Sequence, residues 1–290
     1  MQPLSVDALC HTCGEGAQPY RSIRDYLYYR CSYCGLQFLE REPEGFSTQA
    51  VYDDDYFFGG GAGYPDYLQE GPLLIDRGKA YARIVGRYAR PGRVLDIGSA
   101  AGFILRGFID SGWSGSGLEP NRTMVAYAQE ELGVEVAAGA IEDARFPASV
   151  DLVTMIQVLE HVRDLGTTLD KAAGATKPGG LWFCETMDGG SLMARVLGIQ
   201  WHGYSPPSVL RIFTLDALDR AAAEWGLERI GAGRPLKWIS GAHAKSLLGY
   251  KAGDGILSRM AHAGAQVIPD DCALPYPGRD ILWTVYRKGT

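Results

Sequence analysis

The stretch RVLDIGSAAGFIL, residues 93–105, decides the fold. Val94, Leu95 and Ile97 form a short apolar strand, residues 98–102 a turn of small residues, and FILRGFID (103–110) opens a helix. Strand, tight turn and helix are the repeating unit of a parallel α/β sheet. Gly98, Ser99, Ala100 and Gly102 carry little or no side chain, so a ligand can lie against the turn. Asp96 stands at the carboxyl end of the strand, where such sheets bind ligands. A dinucleotide site would need Gly-x-Gly-x-x-Gly, whereas the register here is Gly98-x-Ala100-x-x-Phe103. A bulky ring at the third position suits a wider turn around an uncharged or cationic ligand better than a pyrophosphate clamp.

Working outward, LLIDRGKAYARIVGRYA (73–89) reads as a helix stopped by Pro91-Gly92. Downstream, SGSGLEP reads as a second strand ending in Glu119, followed by Pro120. An acid at that distance from the glycine turn can accept hydrogen bonds from both ribose hydroxyls of an adenosine. A third strand, VEVAAG, leads to Ala140-Ile141-Glu142-Asp143, where Ile141 offers an apolar face to an adenine ring and Glu142 a polar edge. VDLVTMI (150–156) reads as a fourth strand ending at Gln157, and TKPGGLWFCET (176–186) as a turn and a fifth strand. The fold class expected is α/β, a Rossmann-like sheet with helices on both faces.

Ahead of this region stand Cys10-x2-Cys13 and Cys31-x2-Cys34. Each pair sits on a tight turn that aims two thiolates at one point, and two such turns make a closed tetrahedral Zn2+ site. Gly14 and Gly35 directly follow the pairs, where a left-handed backbone is commonly needed. Two disulfides or a redox CxxC are the alternatives. Four protein ligands leave no open position, so the metal would be structural. His11 is surplus to the four thiolates and reads as a surface residue. Cys184 and Cys272 stand alone and read as small buried side chains. The domains expected are a zinc ribbon over 1–45, a linker or lid over 46–72, and the α/β domain over 73–290.

Composition sets outer limits. The 290 residues are 46% hydrophobic and 21% charged, which fits a folded protein of one large and one small module. A net charge of −6 disfavours a general nucleic-acid binder. The N-terminus MQPLSVDALC has no secretory pattern, and no stretch approaches the roughly 18 apolar residues of a membrane span, so a cytoplasmic location is expected.

These residues resemble the class I S-adenosylmethionine-dependent methyltransferases, above all the subgroup with VLDIGxxxGxxL, VLEHV and KPGG segments, here 94–105, 158–162 and 177–180. The resemblance covers roughly 75–290 and implies a seven-stranded sheet whose last pair is antiparallel, GRDILWTVYRK (278–288) being the final strand. It implies that Asp96, Gly98, Ser99, Ala100 and Gly102 cradle the methionine and ribose of S-adenosylmethionine. Glu119 and Pro120 would hold the ribose, Ile141 and Glu142 would flank the adenine, and Gln157 would approach the methionine. VYDDDYF (51–57) looks like the subgroup's lid, with Tyr56 against the cofactor. A zinc ribbon ahead of such a domain is similar to sugar C-methyltransferases of antibiotic pathways, although their further C-terminal domain has no room here. A zinc-bearing rRNA guanine methyltransferase is another relative.

An oxygen nucleophile needs a base, and His161, just after the fourth strand, is one candidate. Some relatives bind a divalent metal there through Glu-x-x-Glu-His; with Gln157 at the first position, no metal is expected. The second region is GIQWHGYSPPSVLRIF (198–213), where His202 is the alternative base and Trp201 and Tyr204 are candidate substrate contacts. Many relatives show Pro-Arg-His where this chain has Pro-Pro-Ser. His243 and His262 have no partner evident in the sequence, and residues 235–275 would cover the pocket or form a homodimer contact. The function expected is methyl transfer to a small molecule, a sugar or secondary-metabolite intermediate, most simply at oxygen. An RNA methyltransferase with the ribbon as RNA-binding arm, and a non-catalytic cofactor-binding protein, are the alternatives.

Overall fold

The computed structural model describes residues 8–39, 53–59, 65–144, 150–250, 267–276 and 278–290. The chain opens with β1 (Ala8–Leu9), β2 (Gly16–Ile23), β3 (Tyr26–Cys31) and β4 (Gln37–Leu39). Helices α1 (Asp54–Phe58) and α2 (Gly71–Val85) follow. Then come β5 (Arg93–Ile97), α3 (Phe103–Asp110), β6 (Ser114–Glu119), α4 (Arg122–Glu130) and β7 (Val136–Ala138). Next are β8 (Val150–Ile156), α5 (Leu165–Ala175), β9 (Thr176–Met187), α6 (Leu192–Leu197), β10 (Arg211–Ile212), α7 (Leu215–Ala223) and β11 (Leu227–Gly233). The last elements are β12 (Trp238–Ser240), α8 (Gly241–Tyr250), β13 (Ala273–Pro275) and β14 (Ile281–Lys288).

Seven strands form one sheet in the order β11-β14-β9-β8-β5-β6-β7. β5, β6 and β7 run parallel, as do β8 and β9, while β14 is antiparallel to both β9 and β11. The antiparallel closing strand expected at 278–288 is therefore present. Its burial explains its sequence: Ile281 to Tyr286 are all buried, so the strand is an unbroken apolar run punctuated only by Thr284.

The chain divides into two compact units, one of residues 1–47, 144–234 and 279–290, the other of residues 48–143 and 235–278. In the second unit, β5 to β7 alternate with α3 and α4. Asn121 caps α4 by accepting from the Met124 N–H, so the turn after β6 leads straight into a helix. Phe103 begins α3 and is buried, its ring packed between those of Tyr67 (5.8 Å) and Tyr127 (5.7 Å). The ring that excludes a dinucleotide fingerprint is thus a core residue. Among the described residues of 235–276, β12 pairs antiparallel with β13, and α8 packs on them.

In the first unit the cysteine-bearing strands form a sheet of five, in the order β1-β2-β3-β4-β10. The fifth strand, β10, comes from far along the chain: Arg211 stands opposite Phe38 and Ile212 opposite Gln37. The ribbon expected over 1–45 shares its sheet and its core with residues 187–212. That core contains Tyr28, Leu39, Met187, Trp201, Tyr204 and Ile212.

Candidate active site

In the second unit the turn after β5 has a left-handed backbone at Gly98 (φ 70°), Ala100 (φ 46°) and Gly102 (φ 77°). Glycine takes that conformation freely, whereas alanine pays about 1–2 kcal/mol for it, so Ala100 is held there by its surroundings. What holds it is Glu119. The Ala100 N–H donates to Glu119 Oε2 (2.9 Å) and the Asn121 N–H to Oε1 (2.8 Å). One carboxylate so ties the turn after β5 to the turn after β6. Asp96 accepts from the Ser99 hydroxyl (2.9 Å), and the N–H groups of Gly98 and Ser99 both donate to the Leu118 carbonyl. Asp96, Ser99 and Glu119 are all buried. Burial, opposed by the two backbone hydrogen bonds and aided by nearby Asp96, pushes the Glu119 carboxyl up to about 7.

Two acids and no Lys or Arg stand between Asp96 and Leu105 and at Glu119 to Asn121. That donor set fits a cofactor with a sulfonium, an ammonium and ribose hydroxyls, and opposes a pyrophosphate. Ile141, buried, and Glu142, half-buried, begin the single 3-10 turn after β7, and Pro120 lies between Glu119 and the cap of α4. Of the lid expected at 51–57, Val51 and Tyr52 lie outside the described residues. The rest is α1, whose Asp54 accepts from Asn121 Nδ2 and Thr123 Oγ1 (both 3.2 Å). Tyr56 is on this helix, its ring edge-on to Phe57, which in turn meets Tyr67. α1 is therefore anchored beside the turn that bears Glu119 and Pro120.

The first unit holds the segment after β8. Gln157 has a left-handed backbone (φ 56°), donates its N–H to the Glu185 carbonyl (2.8 Å), and aims its Nε2 at Glu185 Oε1 (3.3 Å). Glu160 is wholly buried, and neither carboxylate oxygen has a hydrogen bond of normal geometry, although Thr186 lies alongside. Burial pushes its carboxyl up to about 8. His161 is half-buried, and its Nδ1 meets the Ser208 carbonyl at 2.8 Å. A ring nitrogen facing a carbonyl carries the proton, so Nε2 bears the basic lone pair. Desolvation, partly offset by that hydrogen bond, lowers the imidazole to about 4 and keeps it neutral.

Trp201 and Tyr204, expected as substrate contacts, are 0% and 2% exposed and offer no surface to a ligand in this conformation. The Trp201 indole N–H donates to Asp280 Oδ2 (2.6 Å) and the Tyr204 hydroxyl to Gln37 Oε1. Both rings pack in the core shared with the ribbon. His202 is half-buried, with Nδ1 3.7 Å from Asp280 Oδ2.

The four cysteines converge as expected. Their sulfurs lie within 4.8 Å of one another, with Cys10–Cys34, Cys13–Cys31 and Cys13–Cys34 separations of 3.5, 3.6 and 3.8 Å. A disulfide would need about 2.05 Å. A tetrahedron of 2.3 Å zinc–sulfur bonds has an edge of about 3.8 Å, so the sulfurs are spaced for that ion. The two knuckles repeat one pattern. Gly14 and Gly35, at φ 68° and 75°, donate to the carbonyls of Cys10 and Cys31, whose own N–H groups donate to Glu15 and Leu36. His11 is exposed as expected, but it is not idle: its ring lies on Phe38 (4.2 Å) and its Nδ1 accepts from Arg211 Nε (3.1 Å). Cys184 is buried and Cys272 half-buried.

Sequence reasoning missed Asp280, Arg211 and Glu70. The buried Glu70 comes within 3.9 Å of His243 Nδ1, and its other oxygen accepts from the Ser240 N–H (3.3 Å). His243, for which the sequence offers no evident partner, is thus buried beside Glu70, and the Ser240 N–H ties the start of α8 to the start of α2 within the second unit. A carboxylate at a helix start beside a distant histidine leaves no local signal. His262 lies outside the described residues.

The family model described as "Methyltransferase domain" matches residues 73–230. The chain is similar to the ubiquinone biosynthesis O-methyltransferase of Nitrobacter winogradskyi, 28% identical over 138 residues that cover 46% of this chain and 49% of that protein. It spans about half the length of the curated relatives it matches. Its fold is similar to that of a SAM-dependent methyltransferase from Archaeoglobus fulgidus, with TM-score 0.51 and 16% identity, covering 77% of this chain and 99% of that one. A SAM-dependent methyltransferase from Thermotoga maritima gives TM-score 0.50 and 17% identity over 75% of this chain and 90% of that one. With a matched domain that takes in β5, Glu119 and the segment after β8, this chain belongs to the methyltransferase-domain family.

Proposed function

We propose that the protein transfers the methyl group of S-adenosylmethionine to an oxygen of a small molecule, with His161 taking the proton. The observation that carries the cofactor half of this reading is the cation-free, two-acid turn system of Asp96, Ser99 and Glu119. Asp96 and Glu119 would face the ammonium and ribose hydroxyls, while the left-handed backbone at 98, 100 and 102 keeps side chains away from the cofactor. Tyr56 on α1, Ile141 and Glu142 would border the adenosine, and Gln157 the methionine. Bound there, the cofactor supplies an electrophilic methyl on a sulfonium. The protein's own work is alignment, which provides most of the acceleration of an in-line displacement.

Oxygen as acceptor is supported by two things. Several curated relatives carry O-methyltransferase in their names. His161 is neutral and fixed with Nδ1 toward Ser208, the form and tautomer a base needs. His202 beside the buried Asp280 is the second candidate, because a carboxylate near Nδ1 stabilises an imidazolium once it forms. The ribbon reads as part of the same compact unit as His161 and His202 rather than as a separate RNA-binding arm, since β10 completes its sheet. Zn2+ in the four-cysteine cluster would be structural, every ligand position being filled by the chain.

The test is a screen of phenolic, sugar-hydroxyl and amine acceptors with radiolabelled S-adenosylmethionine, followed by His161→Ala and His202→Ala on the best acceptor. The loss expected on removing the base is about 10²–10⁴-fold in kcat, with the cofactor Kd unchanged. Methylation of amines alone, or full activity in both variants, would overturn the oxygen-and-base reading.

A further inference from the structure

His11 stands between two members of the cysteine cluster, and its Nδ1 accepts from Arg211 Nε at 3.1 Å. Arg211 is 6% exposed and spends the rest of its guanidinium on the loop that follows β8. Nη1 donates to the Val162 carbonyl and Nη2 to the Arg163 carbonyl (2.9 Å). The backbone beside it grips the same loop: the N–H groups of Leu210 and Arg211 both donate to the Glu160 carbonyl, at 2.8 and 3.2 Å. Ser208, three residues earlier, accepts from His161 Nδ1. Arg211 also faces Phe38 across the β4–β10 pair, and the His11 ring lies on Phe38. All of these residues belong to one compact unit.

A buried guanidinium is costly unless its donors are satisfied, and its planar fork fixes direction as well as distance. Here one edge of the fork reads the first cysteine knuckle and the other reads two successive carbonyls of the loop. A shift of the knuckle therefore has a short, stiff route to the backbone on either side of His161. Lysine, a single point of charge, could not make these contacts together.

We propose that Arg211 is a positioning residue, which carries the geometry of the four-cysteine knuckle, through His11, to the loop that sets the orientation and hydration of His161. The cluster then does more than fold the ribbon: it is part of the scaffold of the reaction site. The catalytic consequence rests on the reading of His161 as the base, whereas the mechanical link does not.

The test uses the full zinc-loaded chain with isotope-labelled histidine. It follows the ring resonances and titration of His161 by NMR in the wild type and in His11→Ala, His11→Asn and Arg211→Gln. Zinc content and S-adenosylhomocysteine affinity are measured alongside. In His11→Ala, zinc and affinity stay within about twofold of the wild type. The His161 ring resonances move, and its titration midpoint rises from about 4 by about one unit or more as the ring regains water. His11→Asn, which keeps an acceptor at the place of Nδ1, returns the wild-type spectrum. Arg211→Gln moves His161 in the same direction without touching the knuckle. His161 signals that superpose on the wild type in both His11→Ala and Arg211→Gln would overturn the link. Should His161→Ala keep full activity while His11→Ala still moves the ring, the base assignment fails and the mechanical link stands.

Discussion

Glu119 offers the sharpest single perturbation, because it is a buried acid that ribose hydroxyls, as donors, would favour in its ionised form. In the structure its carboxyl is buried, sits on two backbone N–H groups, and has its pKa raised to about 7. Ribose hydroxyls are donors, and a carboxylate accepts from them far better than a carboxylic acid does. The binding-competent, ionised form is then roughly one molecule in eleven at pH 6 and ten in eleven at pH 8, so affinity should rise about tenfold, or about 1.4 kcal/mol, across that interval. Calorimetric titration with S-adenosylhomocysteine in two buffers of different ionisation heat reads both the affinity and the proton. About half a proton should leave on binding at pH 7. In Glu119→Gln the dependence should vanish, since nothing titrates. The amide Nε2 must then face the N–H of Ala100 or of Asn121, donor against donor, and the affinity at pH 8 should fall by about 1–3 kcal/mol. A wild-type affinity that is flat from pH 6 to 8, together with an unimpaired Glu119→Gln variant, would refute the ribose assignment.

Three further outcomes follow from other parts of the structure. Cys31→Ser should release zinc and lower the unfolding temperature; a full equivalent of metal retained in the variant would rule out the four-thiolate site. Glu160 has a folded pKa of about 8, above its unfolded value near 4.5. The folded state therefore holds its proton more tightly, and this contribution to stability, complete below the unfolded value, is lost as pH rises from there through about 8. Glu160→Gln should flatten that decline in thermal scans from pH 6 to 9, and an undiminished slope would mean that Glu160 is not its source. Trp201→Phe strips the buried Asp280 of the indole N–H and should cost about 1–3 kcal/mol in denaturant unfolding, whereas a change below about 0.5 kcal/mol would exclude that hydrogen bond as a support of the core.

Local pattern accounts for much of what was legible beforehand. The strand–turn–helix at 93–110, the acid at 119 and the parallel strands that follow obey periodicities and turn chemistries confined to a few neighbouring residues. The cysteine knuckles are similarly local: CxxC-Gly carries both its ligand geometry and its left-handed glycine within five residues. Trp201 and Tyr204 misled for a physical reason. An aromatic cluster beside a glycine looks the same in sequence whether its rings line a pocket or fill a core, and their burial here depends on Tyr28, Gln37 and Asp280 from distant segments.

By itself, then, the sequence determined the class of sheet, the succession of its first five strands along the chain, the four-thiolate cluster and the two acids, Asp96 and Glu119, that end successive strands. Only the tertiary structure decided that β10 completes the sheet of the ribbon and that Arg211 joins His11 to the His161 loop. It also decided that His243 is buried against Glu70. The physical reason is chain separation. Hydrogen bonds between residues far apart in sequence are made only when packing brings their elements together, so neither partner carries a mark of the other.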